Sequence, residues 1–381
     1  MQTEQSRWTE AAGWSPQPPG SLAKAPQLIL LFGSGSTLRN PALVEPLKSA
    51  YPTAHFLGCS TAGEICGTQV TDDSLVATAI HFEHTSIAGC QIRFTEVRDS
   101  FHAGESLARR LDPLGLVHIL VLSDGLTVNG SDLVRGLKKH LPGWVTVTGG
   151  LAGDGDRFEE TLTFWDSPPA RDTVAVLGLY GPQLKVGYGS LGGWDPFGPD
   201  RLITRSKGNV LFEMDSHSAL ELYKRYLGDH AVGLPAAGLL FPLSLRTKAG
   251  ETGVVRTILS VNEQEQSMTF AGDVPEGSYA RLMKANFDRL IDGAVGAART
   301  SYQAAGSVSP QLAILISCVG RKLVLQQRIE EEVEGVREIL GEDTILTGFY
   351  SYGEICPFTP GENCELHNQT MTITTFSESA A

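Results

Sequence analysis

Two segments far apart in the chain share a pattern with chemistry in it. Gly58 to Cys66 reads GCSTAGEIC and Gly348 to Cys356 reads GFYSYGEIC, so that Gly, Gly, Glu, Ile and Cys coincide and Thr61 stands opposite Ser351. A weaker copy, TGGLAGD at residues 148–154, also ends in a glycine followed by an acid. Glycines such as Gly58, Gly63 and Gly353 let backbone N–H groups approach a ligand, and the acids Glu64, Asp154 and Glu354 can accept from an ammonium group. The plainer reading of the same residues is tight turns, helix caps and surface ion pairs.

Other side chains extend the candidate ligand set. Arg321 follows SCVG, where its guanidinium could fork onto a carboxylate while Glu354 meets an ammonium, the pairing that zwitterion recognition requires. The alternative is that Arg321 and Glu354 pair with each other. His367, with Asn368 beside it in LHNQTM, joins the set, and its imidazole is a candidate axial haem ligand, with His217 as a second. Cys356, Cys364 and His367 have soft-ligand character but lack a fourth ligand for zinc. No GxSxG elbow, GxGxxG or GxxxxGK[ST] loop or calcium-hand spacing occurs at the Gly-rich turns, so the chain is expected not to be an enzyme. The remaining catalytic reading uses Glu64 or Glu354 as a general base.

The elements that must position these groups alternate. LILLF (Leu28 to Phe32), a helix begun by Pro41 and AHFLG (Ala54 to Gly58) read as strand, helix, strand. The pattern returns as HILVLSDG, SDLVRGLKKHL and WVTVTGG, and again as LAILISCVG, a helix from about Leu323 to Leu340 and TILTGFYSYG. TLTFWD and TVAVLGLYG read as further strands, and a helix is expected from about Ser278 to Ala305. The fold class is α/β, as two related mixed sheet-and-helix domains. Each repeated motif then emerges at the carboxyl end of a strand, the edge where α/β sheets bind ligands. Gly and Pro crowd between Gly189 and Asp200, which places a linker there. The expected division is a mobile leader over 1–26, domains over 27–198 and 199–376, and a tail over 377–381.

Composition narrows the function. Of 381 residues, 41% are hydrophobic and 19% charged, which is globular rather than disordered. Thirty Lys and Arg stand against 43 Asp and Glu, a formal charge of −13, which disfavours nucleic acid and anionic membranes as partners. The apolar stretch from Ala231 to Leu245 carries two prolines and is too short to span a bilayer, so no membrane insertion is expected. The first twenty residues lack an apolar secretion core, so the chain is expected in the cytoplasm with its six cysteines reduced.

The segment GFYSYGEICPFTPGENCELHNQTMTITTF (Gly348 to Phe376) resembles the carboxyl-terminal signature of the FIST sensory domain. TRSKGNVLFEMDSHSALELYKRYLGD, FPLSL with Arg256, AGDVPEGS and SCVGRKLVL are similar to its successive blocks, and GCSTAGEI, LSDGLTVNG and VTGGLAGDGDRF resemble the partner amino-terminal domain. The resemblance implies a sensory module that binds a small molecule such as an amino acid. Some relatives resemble haem-binding nitric-oxide sensors that regulate a histidine kinase. The chain shows no kinase, cyclase or chemotaxis output domain, so the expected partner is a separate signalling protein such as a histidine kinase.

Overall fold

The computed structural model describes residues 1–246, 253–358 and 364–379. Leu28–Gly33 is buried along its whole length and runs parallel to His55–Ser60. The crossover helix between them, Pro41–Ala50, is capped by the Asn40 side chain, which accepts from Ala42 N–H, and Pro41 sits in the first turn, where a missing N–H costs no helical bond. Leu116–Ser123 and Thr146–Leu151 form a second parallel pair around helix Gly130–His140. Leu312–Cys318 and Ile345–Ser351 form a third. Near-continuous apolar strands are what a sheet buried on both faces requires.

Each pair lies in its own six-stranded sheet with the same plan. An antiparallel strand flanks the first member of each pair: Leu75–His81, Thr173–Tyr180 and Met371–Glu378, respectively. The second member is flanked by a strand that arrives from elsewhere. Glu64–Cys66 follows the first pair yet pairs with Ile345–Ser351 of the third sheet. Gly353–Pro357 follows the third pair and joins Thr146–Leu151 of the second, and Thr163–Trp165 follows the second pair and joins His55–Ser60 of the first. The exchange is cyclic, and it turns the three sheets toward one core that includes Phe32, Leu120, Ile314 and Phe349.

The glycines that open the repeated motifs have a packing cause here. Gly58, Gly149 and Gly348 stand opposite Leu31, Val121 and Leu315 in the three parallel pairs. A Cβ at each would lie 2.3, 1.9 and 1.8 Å from the carbonyl oxygen of that neighbour. Gly58 is thus a close approach of strands rather than a ligand contact.

Residues 195–284 supply a fourth, eight-stranded sheet and helix Ala219–Leu227, with their own core around Tyr223 and Phe270. No linker separates it. Strand Leu184–Leu191 belongs to the third sheet, and only residues 192–194 lie between it and strand Asp195–Lys207.

Other expectations are corrected by the same geometry. The leader is not loose: Gln2–Thr9 pairs antiparallel with Leu75–His81, and Trp8 and Trp14 pack on the core of that sheet. Its backbone, not an apolar alternation, holds it in place. At the other end the strand runs on to Glu378 and Ser379 N–H donates to Gln183 O at 3.1 Å, so the described part of the tail is held to the fold, while residues 380–381 lie outside the described residues. Residues 279–284 form a strand whose alternate residues Ala280 and Leu282 are buried, and the helix begins only at Phe287, capped by Asn286. The helix expected from Leu323 to Leu340 is broken at Gln326, whose φ of 48° and ψ of −114° end Val319–Leu325 before Ile329–Leu340 begins.

Candidate functional site

The carboxyl ends of the three parallel pairs meet and are tied by backbone hydrogen bonds. Ala62 N–H donates to Tyr350 O and Tyr350 N–H to Gly63 O, both at 2.8 Å. Gly153 N–H donates to Ser60 O at 3.0 Å, and Ala152 N–H to Ser123 O at 2.7 Å. Over this junction opens a cleft of about 580 Å³. The segment that leaves the first sheet for the third brings Thr61, Gly63 and Glu64 to its wall, the loop after the second pair brings Asp156 and Arg157, and the helix after the first strand of the third pair brings Lys322, with Gln326 at its end.

Glu64 is the buried acid of this wall. One carboxyl oxygen accepts from the Thr61 hydroxyl, and the other accepts from Ser74 N–H at 3.0 Å and the Ser74 hydroxyl at 2.6 Å. Burial pushes its pKa up to about 7 against the pull of those donors. Lys322 supplies the cation: its Nζ donates to Ala62 O at 2.8 Å and pairs with Asp72. Gly63 is required there, because its φ is +138° and a Cβ would lie 2.7 Å from Lys322 Nζ. Gln326, also on the wall, holds a left-handed backbone that costs a non-glycine residue about 1–3 kcal/mol.

The second copy of the motif repeats the clasp but closes it. Glu354 accepts from the Ser351 hydroxyl at 2.6 Å and from Thr370 N–H and hydroxyl at 3.1 and 2.9 Å. It is fully buried, and burial pushes its pKa up to about 8. A Cβ at Gly353 would lie 3.0 and 3.1 Å from the side chains of Leu151 and Leu366. Asp154 serves a third purpose: it accepts from the N–H groups of Phe158, Glu159 and Glu160 at 2.9–3.0 Å and from the Tyr352 hydroxyl, fixing the loop that carries Arg157.

Arg321 does not reach the cleft and does not pair with Glu354. Its Nη2 and Nε donate to Glu332 at 2.7 and 3.1 Å, and the remaining donors reach Leu290 O and Gly192 O. Glu332 also accepts from the Tyr350 hydroxyl at 2.6 Å, and both charges are completely buried. Along helix Val319–Leu325 successive side chains turn by about 100°, which sends residue 321 inward and residue 322 to the cleft. Sequence reasoning therefore missed Lys322 by one position. Asp72, Arg157 and Gln326 were also missed, and only helical phase at SCVGRKLVL carried a signal for any of the four.

His367 is 2% exposed, donates from Nε2 to Cys356 O at 2.7 Å and stands edge-on to Phe358, and burial pushes its pKa down to about 4. It is a neutral structural imidazole and does not fit an open axial haem position. His217 is exposed, with Nδ1 donating to Asp215 O. Asn368 links the hairpin to the fourth sheet, donating to Tyr352 O and accepting from Thr257 N–H. The zinc grouping does not converge either, since Cys364 Sγ turns to Val147 O.

Two expectations follow. Glu332→Ala strands a buried guanidinium and should destabilise the fold by about 3–5 kcal/mol, measured by denaturant unfolding. For Glu354 the folded pKa lies above the ordinary 4.5, so its stabilising contribution is complete below about pH 4.5 and declines until about pH 8. Glu354→Gln keeps an acceptor oxygen for Thr370 and offers its amide N–H to the Ser351 hydroxyl, which can turn to accept, so it should gain roughly 1–3 kcal/mol on wild type between pH 5 and pH 8. Parallel stability curves would contradict the assignment.

The comparisons agree with this architecture at the level of family. Residues 27–217 match the FIST N domain and residues 219–357 the FIST C domain, so the two meet some twenty residues beyond the expected boundary at 198. An uncharacterized protein of Methanocaldococcus jannaschii is 22% identical over 351 residues, 81% of this chain and 65% of that protein, so the chain spans just under two thirds of its relative's length. A cyanuric acid hydrolase from A. caulinodans aligns over 99% of both chains at 8% identity and a TM-score of 0.39, and a second cyanuric acid hydrolase aligns over 99% of both at 7% and 0.35. The expectation that the chain is not an enzyme is withdrawn on this finding, because its structural neighbours are enzymes, although a likeness this weak carries no activity across. Among the described residues no helix is long and apolar enough to cross a membrane. With both of its family domains matched in order, the mixed α/β chain belongs to the FIST family.

Proposed function

We propose that this chain is a sensory module that binds a free amino acid or similar small zwitterion in the cleft and acts on a separate signalling protein. FIST domains are associated with sensory signal transduction. The observation that carries the ligand class is the juxtaposition of Lys322 with the acids Glu64 and Asp72 in one cleft. A ligand carboxylate would take the ammonium of Lys322 from Asp72, and the released Asp72 carboxylate would meet the ligand ammonium beside Glu64. The volume lies within the ordinary range of small-molecule sites. Because the walls come from both family domains, occupancy would tighten one domain against the other and alter the surface offered to a partner.

A second reading rests on Glu64 itself. A carboxyl group with a pKa of about 7 in a cleft suits general-base catalysis near neutral pH.

Thermal unfolding with a panel of the common amino acids tests the first reading. A ligand at 100 times its Kd should add about 2.7 kcal/mol. Lys322→Met should weaken that ligand at least about tenfold, roughly 1.4 kcal/mol, while leaving the unliganded melting temperature close to wild type. A panel with no effect, or a Lys322→Met protein that binds equally well, contradicts it. Turnover of a panel member that is lost in Glu64→Gln would favour the catalytic reading instead.

A further inference from the structure

A second cleft, of about 500 Å³, lies between helix Gly130–His140 and the fourth sheet with strand Cys364–His367. Arg256 forms part of its wall and is only 5% exposed. The guanidinium donates to backbone oxygens of Leu366 (3.0 Å), Asp273 (3.1 Å) and Val255 (3.3 Å) and to the Ser131 hydroxyl (3.4 Å). None of these partners carries charge, and among the described residues no carboxylate forms an ion pair with it. Its partners among the described residues take four of its five N–H bonds, which leaves one on Nη2 for a ligand. A buried cation left in this state is costly unless something anionic visits it.

The surrounding charge points the same way. Arg135, Lys138, Lys139 and Arg256 face Asp273 and Glu365, an excess of cations in a chain whose formal charge is −13. Arg135 is paired with Asp273 and Lys139 with Glu105. Among the described residues Lys138 forms no ion pair with an acid, and its Nζ donates to Val145 O at 3.3 Å. Lys138 and Cys364 also line an adjoining hollow of about 200 Å³ whose wall includes Trp144. That indole is 73% exposed, an unusual outlay of apolar ring on a surface.

We propose that this double cleft binds a small phosphorylated aromatic molecule of the nucleoside monophosphate class. Arg256 and Lys138, the two cations of the cleft with no carboxylate partner among the described residues, match the charge of a phosphate monoester, with the guanidinium offering a directed donor and the ammonium a mobile one. Trp144 offers the ring face on which a base stacks. The site shares no residue with the cleft that holds Lys322, so its fate is independent of the amino-acid reading.

Calorimetric titration of the full chain with adenosine monophosphate tests it. Saturable binding is expected, displaced by inorganic phosphate, and weakened at least about tenfold by Lys138→Gln and by Trp144→Ala. Both substitutions avoid buried Arg256, and unchanged melting temperatures would show that they fold. No saturable binding by wild type overturns the proposal, as does either folded variant titrating like wild type.

Discussion

Backbone hydrogen bonding at the edges of three parallel strand pairs is the constraint on which the structure depends. Each pair ends on a strand whose outer N–H and C=O groups would otherwise be unpaired, and such edges are filled here by a strand from the segment that completes another sheet. Glu64–Cys66, Thr163–Trp165 and Gly353–Pro357 are short, but each locks two sheets together. None of the three sheets is finished without chain from another. The FIST N and FIST C domains are therefore not separable lobes, since the second and third sheets contain strands of both.

The exchange also explains why the buried acids sit where they do. A chain leaving one sheet for the next must turn sharply, and the turn is held by an acid that gathers a hydroxyl and a backbone N–H: Thr61 and Ser74 around Glu64, Ser351 and Thr370 around Glu354. At Glu354 the turn is sealed beneath the fourth sheet. At Glu64 it lies under Lys322, and the cleft opens. The buried Arg321–Glu332 pair anchors the helix that carries Lys322, so that the ammonium is presented from a fixed base.

Much of this was legible in the residues. Leu28–Gly33, Leu312–Cys318 and their partners announce themselves as apolar runs, and the paired GEIC segments mark two of the three crossings. What escaped had no local signature. Gln2–Thr9 is held by backbone pairing, with only Ser6 fully buried, so no periodicity marks it as a strand. The left-handed turn at Gln326 is imposed by packing in the fold, and nothing in LVLQQRIEEE betrays it. Strand exchange is a long-range choice, since Glu64–Cys66 and Gly353–Pro357 share one motif but pair with strands distant in sequence. For the site, the two adjacent cations at 321 and 322 could not be told apart until the helix fixed which one faced solvent.

The most direct test of the central claim is native mass spectrometry of the full chain mixed with an equimolar set of amino acids, compared with its Glu64→Gln and Lys322→Met variants. The account predicts an adduct of one amino acid's mass on the wild-type chain that is diminished in both variants. A wild-type chain that stays bare, or an adduct retained undiminished in both variants, would contradict it.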